Sequence, residues 1–324
     1  MTFNLRYNWT AAEIDEIYHL PFPELIFRSS SLHRQHHDPI RVQFCTLLSI
    51  KTGGCPEDCG YCPQSAHYSP TVDRSGLLET KVIVDAALEA KESGATRFCM
   101  GAAWREVREG KEFDQVLQVV EKVAHTGMEV CVTLGMLTER QAKQLKEAGL
   151  TAYNHNLDTS EAYYSKIITT RTYQERLDTI QHLIQAGISV CSGGIIGMGE
   201  TLQDRFAMLA QLAGIRPHPE SVPINLLVPV KGTPLENALP VDSFELIRLI
   251  ATARMLMPLS RIRLSAGRLS LNREAQALAF FAGANSIFTG EKLLTTPNPE
   301  SDQDHQLLAD LGMRREAEGV RREG

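Results

Sequence analysis

Three cysteines stand at C-x-x-x-C-x-x-C spacing in Lys51-Thr-Gly-Gly-Cys55-Pro-Glu-Asp-Cys59-Gly-Tyr-Cys62-Pro-Gln-Ser, a turn-rich stretch that directly follows the apolar, strand-like run 42–50. Three thiolates on one short loop can grip three corners of a cubic [4Fe–4S] cluster. With no fourth cysteine nearby, the last iron stays open to a small-molecule ligand. The competing readings are a structural zinc loop, a redox dithiol and a disulfide. A closed zinc site takes four ligands in paired spacing and a redox pair stands alone as C-x-x-C, so neither fits well.

The other four of the seven cysteines, Cys45, Cys99, Cys131 and Cys191, fall on predicted strands. A single buried cysteine behaves as a small hydrophobe. If Cys99, Cys131 and Cys191 all point inward, however, they converge from neighbouring walls and can hold a second metal centre. Arg263, in Arg261-Ile-Arg-Leu-Ser, is a cation on a strand that would ordinarily be apolar; its plain role is an outward or ion-paired arginine. In Tyr153-Asn-His-Asn-Leu-Asp158 the alternation of side chains puts Asn154 and Asn156 on one face, near Asp158 at the strand end. Strand propensity disfavours asparagine, and the pair suits ribose hydroxyls or a neutral polar substrate. Gly193-Gly-Ile-Ile-Gly197-Met-Gly-Glu200 is neither a dinucleotide fingerprint nor a Walker loop.

Positioning these groups requires a repeating scaffold. After Pro39, β-rich runs at 42–50, 96–100, 129–134, 152–156, 188–192, 222–227, 261–265 and 286–288 alternate with helical spacing at 81–92, 113–126, 139–148, 173–186, 202–212, 244–257 and 272–281. Eight such units predict an α/β fold, a (β/α)₈ TIM-type barrel, with an open doubly wound sheet as the alternative. Gly94, Gly127, Gly149 and Gly187 fall between a helix and the next strand, as C-cap glycines do. Chemistry in such barrels gathers at the C-terminal strand ends, where the cysteine loop lies. The organisation expected is an N-terminal helical extension over 1–40, with Thr10 as a helix N-cap and His36–His37 as a solvated helix end, then the barrel over 41–300. A C-terminal segment over 301–324 follows, its charged tail from Met313 disordered.

Composition narrows the function classes. The 324 residues are 43% hydrophobic and 22% charged, which suits a globular chain with a substantial core. A net charge of −6 gives no basic field for nucleic acid or an anionic membrane. Neither a signal peptide nor a run long enough to span a bilayer is apparent, so a cytoplasmic location is expected. Cysteines in that setting are reduced thiols available for metal or chemistry.

The cysteine loop resembles the signature of the radical S-adenosylmethionine (SAM) enzymes, and Gly193 to Glu200 matches G-x-I-x-G-x-x-E, similar to their adenine-contacting strand. The chain as a whole resembles the biotin synthase family from about His33 to Pro299, through Ser49-Ile-Lys-Thr-Gly-Gly-Cys, Thr96-Arg-Phe-Cys-Met-Gly-Ala-Ala-Trp, Tyr153-Asn-His-Asn-Leu-Asp-Thr-Ser, Thr169-Thr-Arg-Thr-Tyr-Gln-Glu-Arg, Arg263-Leu-Ser-Ala-Gly-Arg and Leu293-Leu-Thr-Thr-Pro-Asn-Pro. The resemblance implies a homodimeric enzyme that inserts sulfur into dethiobiotin. Cys55, Cys59 and Cys62 would bind the [4Fe–4S] cluster, whose open iron takes SAM. Asn156 and Asp158 would hold its ribose, Arg176 its carboxylate, and Tyr61 and Ile195 its adenine. Cys99, Cys131, Cys191 and Arg263 would hold a [2Fe–2S] cluster, the sulfur donor. Dethiobiotin would lie between, near Asn154 and Asn225, with its carboxylate at Thr295 and Thr296. A reductant such as flavodoxin or ferredoxin and the iron–sulfur assembly machinery are the implied partners. Cys45 has no counterpart in the family's needs and is either core filler or close enough to influence the second cluster. Related architectures, such as methylornithine synthase or a hydrogenase maturase, lack the deep cysteine set; an iron–sulfur redox sensor would need no SAM pocket.

Overall fold

A computed structural model describes residues 5–69, 72–290 and 292–317. Two helices come first, α1 (Ala11–Tyr18) and α2 (Phe22–His36), and pack against the later α8 (Leu202–Gly214) and α9 (Ser243–Leu256) respectively. Thr10 caps α1 in a reciprocal capping box with Glu13. His37 is no solvated helix end. It is buried, with one ring nitrogen on the Pro258 carbonyl and the other on Asn285.

The strands β1 (Arg41–Lys51), β2 (Arg97–Ala102), β3 (Glu129–Thr133), β4 (Ala152–Asn154), β5 (Ser189–Cys191), β6 (Gly194–Ile196), β7 (Ser221–Leu226), β8 (Arg261–Leu264) and β9 (Ala284–Phe288) are joined by α3 (Thr80–Glu92), α4 (Lys111–Ala124), α5 (Glu139–Glu147), the short α6 (Glu161–Tyr164), α7 (Tyr173–Gln185), α8, α9 and α10 (Arg273–Phe281). All the barrel pairings are parallel, and β1 pairs with both β2 and β9, so the sheet closes into an eight-position barrel. Closure excludes the open-sheet alternative. One barrel position is split into β5 and β6, the second of which lies where the sequence reads as a glycine-rich loop.

Strand alternation sorts the side chains cleanly. Phe44, Phe98, Val130, Tyr153, Val190, Ile224, Ile262 and Ile287 belong to the large apolar core beneath the helices. Cys45, Cys99, Cys131, Ala152 and Phe288 form a separate packed cluster inside the lumen. Two C-cap glycines illustrate the helix-to-strand turns, with φ of 88° at Gly94 and 86° at Gly127, where a Cβ would be strained.

Beyond the barrel come a two-strand hairpin, β10 (Lys292–Leu293) with β11 (Thr296–Pro297), then α11 (Ser301–Asp310) and β12 (Arg314–Arg315). The expectation of a disordered tail from Met313 is corrected over its first residues. β12 lies parallel to β1, and Glu316 is buried against Arg261 at 2.7 and 3.1 Å. A charged tail gains order when its charge meets a buried partner of opposite sign, which composition does not reveal. The rest of that tail, 318–324, lies outside the described residues.

Candidate active site

The cysteine loop leaves the C-terminal end of β1 and is held by its own backbone and by acids between the thiols. The Cys55 N–H donates to Gln64 O (2.9 Å), the Ala66 N–H to Cys55 O (2.7 Å), and the Gly60 N–H to Ile167 O (2.9 Å). Glu57, buried, accepts from Arg105 Nη1 (2.8 Å) and from the Thr170 hydroxyl. Asp58 accepts from the Thr169 and Thr170 amides at 2.9 and 3.2 Å. Burial opposes the Asp58 charge, but these hydrogen bonds outweigh it and hold its carboxyl down at about 2. The loop shape therefore does not depend on the sulfur atoms.

Burial pushes the Cys59 thiol up to about 11 and the Cys62 thiol up to about 12, and raises Cys55 as well. Each must release a proton on binding iron. Among the described residues no three His, Cys, Asp or Glu side chains converge where one metal ion would sit. In a polynuclear cluster each thiolate binds its own iron, so three thiols spread around one cavity fit a cluster, the carboxylates that share that cavity being engaged elsewhere, Glu57 by Arg105 and Thr170 and Asp158 by Tyr61 and Arg176. Arg171, nine-tenths buried, stands beside this set with Nη2 3.9 Å from Cys59 Sγ, and its Nε has no hydrogen-bond partner.

Next to the loop, Asp158 adopts φ 66°, a left-handed conformation that costs an ordinary residue roughly 1–2 kcal/mol. The position is overdetermined. Its N–H donates to Gly193 O (3.2 Å), its carbonyl accepts from Ile195 N (2.8 Å), and its carboxylate accepts from Tyr61 Oη (2.8 Å) and from Arg176. Arg176 also donates to Asn156 O (2.5 Å) and Tyr164 Oη (2.6 Å). Asn156 Oδ1 accepts from Gly193 N at 3.1 Å. Glycine is required in this crossing, since a Cβ on Gly193 would come 1.9 Å from Pro223 O and one on Gly194 2.9 Å from the backbone oxygen of Asp158. Cys55, Cys59 and Cys62 line a cavity of 270 Å³ together with Tyr61, Asn156, Asp158, Arg171, Arg176 and Ile195.

A second cavity, 210 Å³, shares Tyr61, Cys62, Asn154, Asn156 and Asn225 with the first and runs down to Cys99, Cys131 and Arg263. Thr295 and Thr296, from the β10–β11 hairpin, line its walls. Asn154 Nδ2 donates to Cys191 Sγ (3.2 Å), and Asn225 bridges Gly194 O (2.9 Å) and Ala266 N (3.2 Å). At the bottom Cys99 and Cys131 are side by side in register; the Cys99 thiol donates to the Cys131 sulfur, which raises Cys99 and lowers Cys131. Arg263, fully buried, directs Nη1 to Cys191 Sγ at 3.6 Å and Nη2 to Cys45 Sγ at 3.3 Å. It is therefore neither outward nor paired with a carboxylate. Three inward thiols with a cation among them form a donor set suited to an electron-rich sulfide cluster.

Below this set lies a layer that sequence reasoning missed. Buried Arg97 reaches Glu129 (2.8 Å) and Glu220 (2.9 Å), and Arg261 reaches Glu220 (3.2 Å). Burial alone would raise the Glu220 carboxyl; Arg97 and then Arg261 outweigh it and hold it at about 2. Glu57, Arg105 and Arg171 were missed too. The only signal for them was their place inside the cysteine loop and the Thr169-Thr-Arg-Thr stretch.

Two family models match the chain, the radical SAM superfamily over residues 49–212 and the Biotin and Thiamin Synthesis associated domain over 223–314. The fold is shared with methylornithine synthase (TM-score 0.79, 17% identity, 96% of this chain and 95% of that one) and with the FeFe-hydrogenase maturase of Carboxydothermus hydrogenoformans (TM-score 0.78, 16% identity, 95% and 76%). At those identities the likeness is one of fold. The closed barrel, the cysteine loop and the first family match define a radical SAM enzyme. Among curated proteins the chain is 59% identical to the biotin synthase of Cytophaga hutchinsonii over 310 residues (96% of this chain, 92% of that one) and 60% identical to that of Methylobacterium nodulans over 310 residues (95% and 93%). The chain belongs to the biotin synthase family.

Asp158→Asn is expected to weaken SAM binding roughly tenfold or more, because a charged acceptor contributes about 1.5–3 kcal/mol per hydrogen bond. Asparagine is the gentler substitution, since its amide oxygen can still accept from the buried Arg176 where alanine would remove that acceptor as well as the charge. Equilibrium titration with SAM beside a melting curve checks it; an unchanged dissociation constant would reduce Asp158 to a turn residue.

Proposed function

We propose that this chain completes biotin by inserting sulfur into dethiobiotin, with SAM cleaved to 5′-deoxyadenosine and methionine. The observation that carries the reading is the continuity of the two cavities, from the loop thiols through the paired asparagines to the deep cysteines and Arg263. When bound, a [4Fe–4S] cluster would supply the electron that releases a carbon radical from SAM, an oxidant strong enough for unactivated C–H bonds.

The chain's own residues bind and enclose. Cys55, Cys59 and Cys62 hold that cluster; Tyr61, Asn156, Asp158, Arg176 and Ile195 bind SAM; Asn154, Asn225, Thr295 and Thr296 receive dethiobiotin. Cys99, Cys131, Cys191 and Arg263 hold a [2Fe–2S] cluster. Tyr61, kept neutral by burial, donates a hydrogen bond from its hydroxyl to Asp158 and fixes that carboxylate for the ribose. The apolar and amide walls exclude water, which protects a radical from quenching. A flavodoxin- or ferredoxin-type reductant, the iron–sulfur assembly machinery and a second copy of the chain complete the picture, in the cytoplasm. No helix among the described residues is long and apolar enough to cross a membrane.

The test is anaerobic reconstitution with iron and sulfide, then dethiobiotin, SAM and reductant, with biotin and 5′-deoxyadenosine quantified by mass spectrometry. Equal 5′-deoxyadenosine with and without dethiobiotin, and no biotin, would remove the substrate assignment.

A further inference from the structure

The reaction sketched above uses six of the seven cysteines and leaves Cys45 without a task. Cys45 is fully buried on β1 and packs in one cluster with Cys99 and Cys131. A cysteine that merely fills a core needs no polar company. Cys45 instead accepts from Arg263 Nη2 at 3.3 Å and points its thiol at Gln43 Oε1 (3.5 Å), with Ser286 Oγ at 3.8 Å. The Arg263 guanidinium is thus flanked by two sulfurs, Cys45 on one side and Cys191 on the other, and Cys45 is the nearer. The arginine itself is steadied by Ser286 at 3.0 Å and by the Phe288 ring at 4.7 Å.

We propose that Cys45 is a reserve ligand of the deep centre, whose sulfur takes the iron position assigned to Arg263 whenever the arginine nitrogen is not bound, giving four-cysteine ligation. The proposal rests on the reading of the deep residues as a [2Fe–2S] site. In the exchange an iron–nitrogen bond breaks and an iron–sulfur bond forms, and no electron moves. The thiol proton passes to the released guanidine, or to water where the arginine has been replaced. Thiolate is the softer and stronger donor for iron, so the exchange has a driving force as soon as the nitrogen leaves.

The experiment compares the wild-type chain with Arg263→Ala, Cys45→Ser and the double variant after anaerobic reconstitution. Two-iron and four-iron clusters are counted separately by Mössbauer spectroscopy, and iron K-edge absorption reports the sulfur and nitrogen neighbours; no turnover is needed. Arg263→Ala is expected to keep its two-iron cluster with all-sulfur ligation, and Cys45→Ser to match wild type. The double variant is expected to lose two-iron content by roughly tenfold or more while retaining the four-iron cluster, which also shows that it folds. A double variant equal to Arg263→Ala in content and spectrum would overturn the reserve role. So would loss of the two-iron cluster in Cys45→Ser alone, which would make that thiol a permanent ligand. The underlying site reading fails separately, if Cys131→Ala keeps an unaltered two-iron signal.

Discussion

Alanine at Cys55, Cys59 or Cys62 is expected to abolish reductive cleavage of SAM, with 5′-deoxyadenosine under strong reductant falling roughly a hundredfold or more, because loss of even an outer partner of a metal ligand costs 10–100-fold. Each thiol anchors one corner of the proposed cube, and two anchors leave a second iron open to water and loss. The fold should survive. The loop is shaped by the hydrogen bonds of Cys55, Gly60 and Ala66 backbone groups and by Glu57 and Asp58 on Thr169 and Thr170, none of which involves sulfur. A melting temperature near wild type together with lost cleavage is the expected pair of results. Full 5′-deoxyadenosine yield from any one variant would remove that cysteine from the ligand set.

Cys131→Ala should separate the two half-reactions, eliminating biotin while sparing SAM cleavage. Cys131 stands at the bottom of the lumen beside Cys99, at the other end of the cavity from Cys62 and above the Arg97–Glu129–Glu220 layer. The cavity that reaches Cys131 is only 210 Å³, room for a small molecule and not for a sulfur-carrying protein. On the proposed reading the inserted sulfur would be present beforehand, with bridging sulfide as the source that this donor set would hold. On that reading, its removal would damage the cluster and limit each chain to about one turnover without repair. Reconstitution with heavy-isotope sulfide, followed by turnover with ordinary sulfide in solution, should give biotin carrying the heavy isotope. Biotin with only the ordinary isotope would defeat the sacrificial source, and robust biotin formation by Cys131→Ala would defeat the ligand assignment.

Much of this architecture is written in short-range patterns. The alternation of Cys45, Cys99 and Cys131 with large apolar neighbours marks strands whose two faces meet different surroundings, and the spacing of Cys55, Cys59 and Cys62 lies within a single loop. Periods of 2 and 3.6 residues and loop spacings are local quantities, so they can be read along the chain before any contact is known. Closure of the barrel is different in kind, because it depends on β1 meeting β9 across more than two hundred residues of sequence. The same holds for Arg263 against Cys45, 218 positions apart, and for Glu316 against Arg261. It holds again for Arg176 on α7, which packs against β5 and meets Asp158 in the segment after β4. Which charge meets which partner in a lumen is set by strand register and stagger around the whole barrel, a global constraint that no window of sequence contains.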